Sequence, residues 1–157
     1  MKPTVYIETT IPSYLTAWRS PGLLMAAHQE ATRNWWENVR LDYELFISEF
    51  VMLECASGNS EAASRRLEAI QGLPELDISE QVESLAQKLL SGAALPEKAK
   101  LDALHIAVAT VHGIDYLLTW NCKHIANAVT RPKIEWICRE TGYEPPVICT
   151  PLELMRD

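Results

Sequence analysis

The chain has 157 residues, 48% apolar and 22% charged, a balance that suits a soluble globular protein able to build a core without staples. Its four cysteines, Cys55, Cys122, Cys138 and Cys149, form no C-x-x-C pair, which argues against structural zinc and for reduced thiols in a cytosolic protein. The net charge of −7 argues against nonspecific nucleic-acid binding through a basic surface, but not against nucleic acid as a substrate, because carboxylates holding a divalent cation present a locally positive site. No stretch reads as a signal peptide or a bilayer span, so a cytoplasmic protein without membrane contact is expected.

No repeat or low-complexity tract interrupts the chain, and a single domain over residues 1–157 is expected. The first strand is expected at Thr4–Ile7, an apolar run that stops abruptly on Glu8. The stretch "GLLMAAHQEATRNWWENVR" then reads as a helix with apolar residues on one side. A second strand is expected at Leu45–Ser48, followed by the apolar helical turn "FVMLECA". The stretch "SEAASRRLEAIQGLP" starts on a candidate serine cap, Ser60, and stops at Gly72 and Pro74.

A third strand is expected at Glu75–Ile78. "SEQVESLAQKLLSG" has Ser79 as cap, Val82, Leu85 and Leu89 as inward stripe and Gly92 as terminator. A helix running from Pro96 to Gly113 contains "LDALHIAVATV", apolar all round and so buried between other elements. Further strands are expected at Tyr116–Thr119 and Val147–Cys149. Strands alternating with helices imply an α/β fold, a parallel sheet with right-handed crossovers and helices on both faces, and functional residues at the carboxyl ends of the strands.

Three acids stand alone in apolar surroundings: Glu8, Glu54 in "FVMLECA", and Asp102 in "LDALHIAVATV". Each has an ordinary explanation. Glu8 can reach solvent or lie beside the start of a helix marked by Thr10 and Pro12; Glu54 can emerge at a helix edge; Asp102 can pair with His105 one turn along. A single arrangement explains all three, since buried carboxylates that converge repel one another unless a cation joins them, and a hard ion such as Mg²⁺ or Mn²⁺ suits carboxylate oxygens. Thr119 and Asn121 in "LLTWNCKHI" sit at the carboxyl end of another strand, where Asn121 can offer an oxygen to a metal or cap a loop.

Taken together, "VYIETTIPSYL", "ISEFVMLECASG", "LDALHIAVA" and "LLTWNCKHI" resemble, over nearly the whole chain, a PIN domain, and most closely the VapC-type ribonuclease toxins of bacterial toxin–antitoxin pairs. The resemblance implies a three-layer α/β/α sandwich with a central parallel sheet. It also implies clustered acids that hold Mg²⁺ or Mn²⁺ for hydrolysis of RNA phosphodiester bonds, a small antitoxin protein as partner, and a homodimer. By motif position, Glu8 stands at the first acid, usually Asp, Glu54 at the second and Asp102 at the third. Asn121 stands where many members carry a fourth acid. The chain thus departs from the pattern twice, by an added methylene at Glu8 and a lost charge at Asn121.

On this reading Glu8, Glu54 and Asp102 hold the metal while Asn121 and Thr119 orient water. Lys123, Arg131, Lys133 and Arg139 can meet the RNA backbone or simply form a solvated face. His28, His105, His112 and His124 show no zinc-site spacing, and no Walker A, G-x-S-x-G or G-x-G-x-x-G signature occurs. The rival from another class is a binding module that works through an exposed patch of Trp18, Trp35 and Trp36, whose ordinary role would be core packing.

Overall fold

The structure, a computed structural model, describes residues 1–155. Four short parallel strands form the sheet in the order β2-β1-β3-β4: β1 (Thr4–Ile7), β2 (Glu44–Phe46), β3 (Tyr116–Leu118) and β4 (Val147–Cys149). The first strand is therefore central, with Tyr6 registered against Phe46 on one side and Leu117 on the other. Val5, Tyr6 and Ile7 have no exposed surface, which explains an apolar run without alternation, as expected for a strand covered on both faces.

The helices are α1 (Thr10–Thr16), α2 (Leu23–Asn34), α3 (Glu49–Cys55), α4 (Ser60–Ile70), α5 (Glu80–Ser91), α6 (Lys100–Val111) and α7 (Arg131–Glu140), and with the sheet they make a three-layer α/β/α sandwich. Helix α6 is its most buried helix: every residue from Ala103 to Thr110 is buried. One side of α6 packs on α5, which in turn meets α7, while α1 packs on α2 and α4. Burial of each large aliphatic such as Ile106 or Val108 contributes roughly 1.5–3 kcal/mol, so α6 is anchored strongly enough to hold polar groups in fixed positions.

Several local expectations are corrected. Glu75–Ile78 is not a strand but a single bridge, Ile47 to Glu75, because Pro74 has no N–H to extend the ladder and Leu76 and Ile78 are only half-buried at the sheet edge. The cap of α4 is Asn59, whose side chain accepts the Ala62 N–H at 3.0 Å, rather than Ser60. Ser79 caps α5 as expected. The helix after Gly22 changes at Trp35 to a π-helical turn, Trp35–Val39, and α6 begins at Lys100 because Pro96–Ala99 forms a separate turn.

The three tryptophans do not form one patch. Trp35 is fully buried and donates its indole N–H to the Leu154 carbonyl at 2.9 Å, Trp36 packs partly against the core, and Trp18 alone is 80% exposed. All four cysteines are free thiols. No helix among the described residues is long and apolar enough to cross a membrane.

Candidate active site

Strand β1 ends at Ile7, and the Glu8 N–H continues its pairing with β3 by donating to the Leu118 carbonyl at 3.2 Å. This places Glu8 at the carboxyl edge, but not in solvent: the residue is 3% exposed. Three donors converge on Oε1, the Thr10 N–H at 3.2 Å, the Thr10 hydroxyl at 2.5 Å and the Thr119 hydroxyl at 2.6 Å. The contact with the start of α1 is thus real, whereas exposure to solvent is not. Burial pushes the Glu8 carboxyl above its ordinary range, against the pull of nearby His105 and the two threonines.

Glu54 lies in the last turn of α3, its side chain 30% exposed. Its Oε1 accepts the Thr9 hydroxyl at 2.6 Å and lies 2.5 Å from His105 Nε2. Partial burial raises its carboxyl, but the bond and charge of His105 together with the Thr9 hydroxyl outweigh that and hold it below the usual value. Both glutamates are gripped through one oxygen, and among the described residues no hydrogen bond is made to either Oε2.

His105 comes from the middle of α6 and is fully buried. Its Nδ1 lies 2.6 Å from the Tyr6 hydroxyl, which is 2.8 Å from Ser48 Oγ. Burial disfavours the imidazolium, yet the Glu54 bond and the charges of Glu8, Glu54 and Asp102 raise its pKa above the ordinary value. Donor atoms of Glu8, Glu54 and His105 all lie within 4.8 Å of one another. A buried carboxylate, a half-buried one and an imidazole at that spacing form a donor set suited to a divalent cation, since the acids repel each other and a hard ion relieves both.

Asp102, in the first turn of α6, is not among those three donors. Its Oδ1 accepts the Asn121 amide at 3.0 Å and its Oδ2 faces His124 Nδ1 at 2.7 Å. The alternative pairing of Asp102 with His105 does not form, because the His105 ring is engaged with Tyr6 and with Glu54 on α3. Asn121 also caps the following turn, its Oδ1 accepting the His124 N–H at 3.1 Å, while its own N–H donates to Thr119 Oγ1 at 2.9 Å. Thr119 therefore links Glu8 to Asn121, and Asn121 links onward to Asp102. One polar network spans the carboxyl ends of β1 and β3, and all five sequence-selected residues except Glu54 lie on it directly.

Sequence reasoning assigned no role in the site to His105, His124, Thr9 or Thr10. The signal for His105 was present: it is the one ring nitrogen donor inside an otherwise apolar helix. Of the four basic residues considered for RNA, Lys123 and Lys133 are exposed, whereas Arg139 is engaged by Glu135 at 3.6 Å and Glu144 at 3.0 Å.

The family model of the PIN domain matches residues 7–124, which includes every residue of this network. Curated protein sequences give no match. Among solved structures, the chain is similar to one in the crystal structure of VapBC2 from Rickettsia felis bound to a DNA fragment from their promoter, with a TM-score of 0.59 and 17% identity. That likeness covers 94% of this chain and 98% of the other.

Proposed function

The chain belongs to the PIN-domain family, and from that membership and its buried acidic site we propose that it is a divalent-metal-dependent endoribonuclease that hydrolyses RNA phosphodiester bonds. The observation that carries the reading is Glu8, a buried carboxylate whose three hydrogen bonds all fall on Oε1. A carboxylate fixed in this way and turned toward a second one is costly without a cation.

In this reading Glu8, Glu54 and Asp102 would hold Mg²⁺ or Mn²⁺. When bound, such an ion lowers the pKa of a water and stabilises charge on the phosphoryl oxygens. The chain's own residues do the rest. Thr10 and Thr119 fix the Glu8 carboxylate, Thr9 and His105 fix Glu54, and Asn121 with His124 fixes Asp102, so that no rearrangement of acids is needed when substrate arrives. No serine or cysteine nucleophile takes part.

The wider reading is the toxin of a type II toxin–antitoxin pair, a single-domain cytoplasmic protein that acts as a homodimer and is restrained by a small antitoxin. It is supported by the similarity to a chain of the VapBC2 complex. The second reading, a weakened PIN-like module that binds RNA or protein without cleaving, is favoured by one observation, the neutral Asn121 amide donating to Asp102 where many members carry another acid. Incubation of a mixed RNA pool with the purified chain separates the two. Cleavage restored by Mg²⁺ or Mn²⁺ after EDTA, and lost in Glu8→Gln, supports the nuclease; intact RNA under all metal conditions rules it out.

A further inference from the structure

Building on the cation-binding reading above, we propose that His105 is itself a ligand of the bound ion beside Glu8 and Glu54, and that this imidazole selects a first-row transition ion such as Mn²⁺ over Mg²⁺. Position is the first argument. His105 offers a ring nitrogen to the same group of donor atoms as the carboxylate oxygens of Glu8 and Glu54, all within 4.8 Å, and its Nε2 lies 2.5 Å from Glu54 Oε1. Asp102, tied at both oxygens by Asn121 and His124, does not belong to it.

Orientation is the second argument. A metal-binding histidine commonly engages its other ring nitrogen with a fixed partner, which sets the tautomer and aims the free nitrogen. Here Nδ1 is hydrogen-bonded to the Tyr6 hydroxyl at 2.6 Å, and that hydroxyl is hydrogen-bonded in turn to Ser48 Oγ at 2.8 Å. Tyr6 and Ser48 are fully buried, so this relay is shielded from water. Phe50 meets the ring edge-on with centroids 6.4 Å apart. Nε2 is left as the nitrogen that faces the carboxylates.

Need is the third argument. Glu8 is 3% exposed, and the His105 Nε2–H serves Glu54 and not Glu8. An ion held by all three groups gives Glu8 the counter-charge that the imidazole alone does not supply. On binding, the Nε2–H bond breaks, the proton leaves to solvent, and the freed electron pair forms the bond to the cation. An imidazole nitrogen in place of another oxygen favours Mn²⁺ and later transition ions over Mg²⁺, which binds oxygen almost exclusively.

Pulsed electron paramagnetic resonance on the full chain with one equivalent of Mn²⁺ tests the assignment. Modulation from a directly coordinated ¹⁴N is expected, converting to a ¹⁵N pattern when the histidines alone are ¹⁵N-labelled. The signal should vanish in His105→Gln and persist in His124→Gln, and calorimetry should show the Mn²⁺-to-Mg²⁺ affinity ratio falling by about tenfold or more in His105→Gln. Bound Mn²⁺ without nitrogen coupling, or coupling lost with His124 instead, overturns His105 as a ligand while leaving the cation-binding reading in place. Failure of the chain to bind Mn²⁺ or Mg²⁺ at all overturns both. The labelled unmodified chain decides the matter even if a variant does not fold.

Discussion

The Thr119 hydroxyl donates to Glu8 Oε1 at 2.6 Å across 111 positions of sequence, and the same hydroxyl oxygen accepts the Asn121 N–H at 2.9 Å. One fully buried threonine thus holds the first acid and the turn that carries Asn121.

Thr119→Val, which keeps the shape and removes the hydroxyl, is expected to lower stability by about 1–3 kcal/mol, because it leaves the half-buried Asn121 N–H unpaired and removes a donor from a buried carboxylate. Divalent-metal affinity should fall with it. Urea denaturation and metal titration of the variant check both effects, and unchanged stability would remove Thr119 from the supporting network.

Asn121→Asp replaces a donor to Asp102 with a second carboxylate at the same 3.0 Å contact. Repulsion should lower the melting temperature of the metal-free variant, and a divalent ion should recover most of the loss. The measurement is the rise in melting temperature between EDTA and Mn²⁺. A larger rise in the variant than in the parent is expected, and an equal rise means that position 121 does not sense the ion.

Stability of the metal-free chain should depend on pH in a set direction. His105 has its pKa raised above the ordinary 6.5, so its contribution is complete below 6.5 and is lost as pH rises through the folded value. Glu8 is also raised, above 4.5, and its ionisation likewise costs stability as pH rises. Glu54 is lowered from 4.5, and its contribution is present above that value and lost as pH falls through the folded one. Urea unfolding in EDTA should therefore show stability declining above about pH 6.5. A profile that climbs over that range would contradict the raised His105.

The tryptophans offer a test of the core. Trp35→Ala, at a fully buried site with an indole bond to Leu154, should cost about 3–5 kcal/mol. Trp18→Ala, at an 80% exposed site where only Arg65 stacks at 4.9 Å, should stay within about 0.5 kcal/mol. Chemical denaturation of the two variants makes the comparison, and equal losses would contradict the burial difference.

Much of this arrangement was legible in the sequence for a physical reason. Strand β1 ends where its apolar run does, because a strand buried on both faces cannot carry charge until it leaves the sheet. Glu8 announced itself as the break in such a run, and Asp102 as the sole acid of an all-round apolar helix. The partners of those acids were not legible. His105 lies three residues after Asp102, a spacing that suggests a helical pair, yet its partner Glu54 is 51 positions away on α3. Only the packing of α3 beside α6 brings them together. His124 was hidden in the same way, since its bond to Asp102 spans a strand and a turn. The bridge at Glu75 misled because an apolar, β-favouring segment at a sheet edge needs a partner strand that Pro74 prevents from zipping.

The central place of β1 has a consequence for how the protein is made. Made before the other strands, β1 finds β2 soon afterward, but its other neighbour, β3, is synthesised only after four further helices, α3 to α6. Until then β1 is an open edge, and Glu8 has neither the Leu118 carbonyl for its N–H nor the Thr119 hydroxyl for its carboxylate. Pairings this distant in sequence form late and slowly. A nascent chain therefore passes through most of its synthesis without an assembled acidic pocket, and the pocket forms in the same step that closes the sheet.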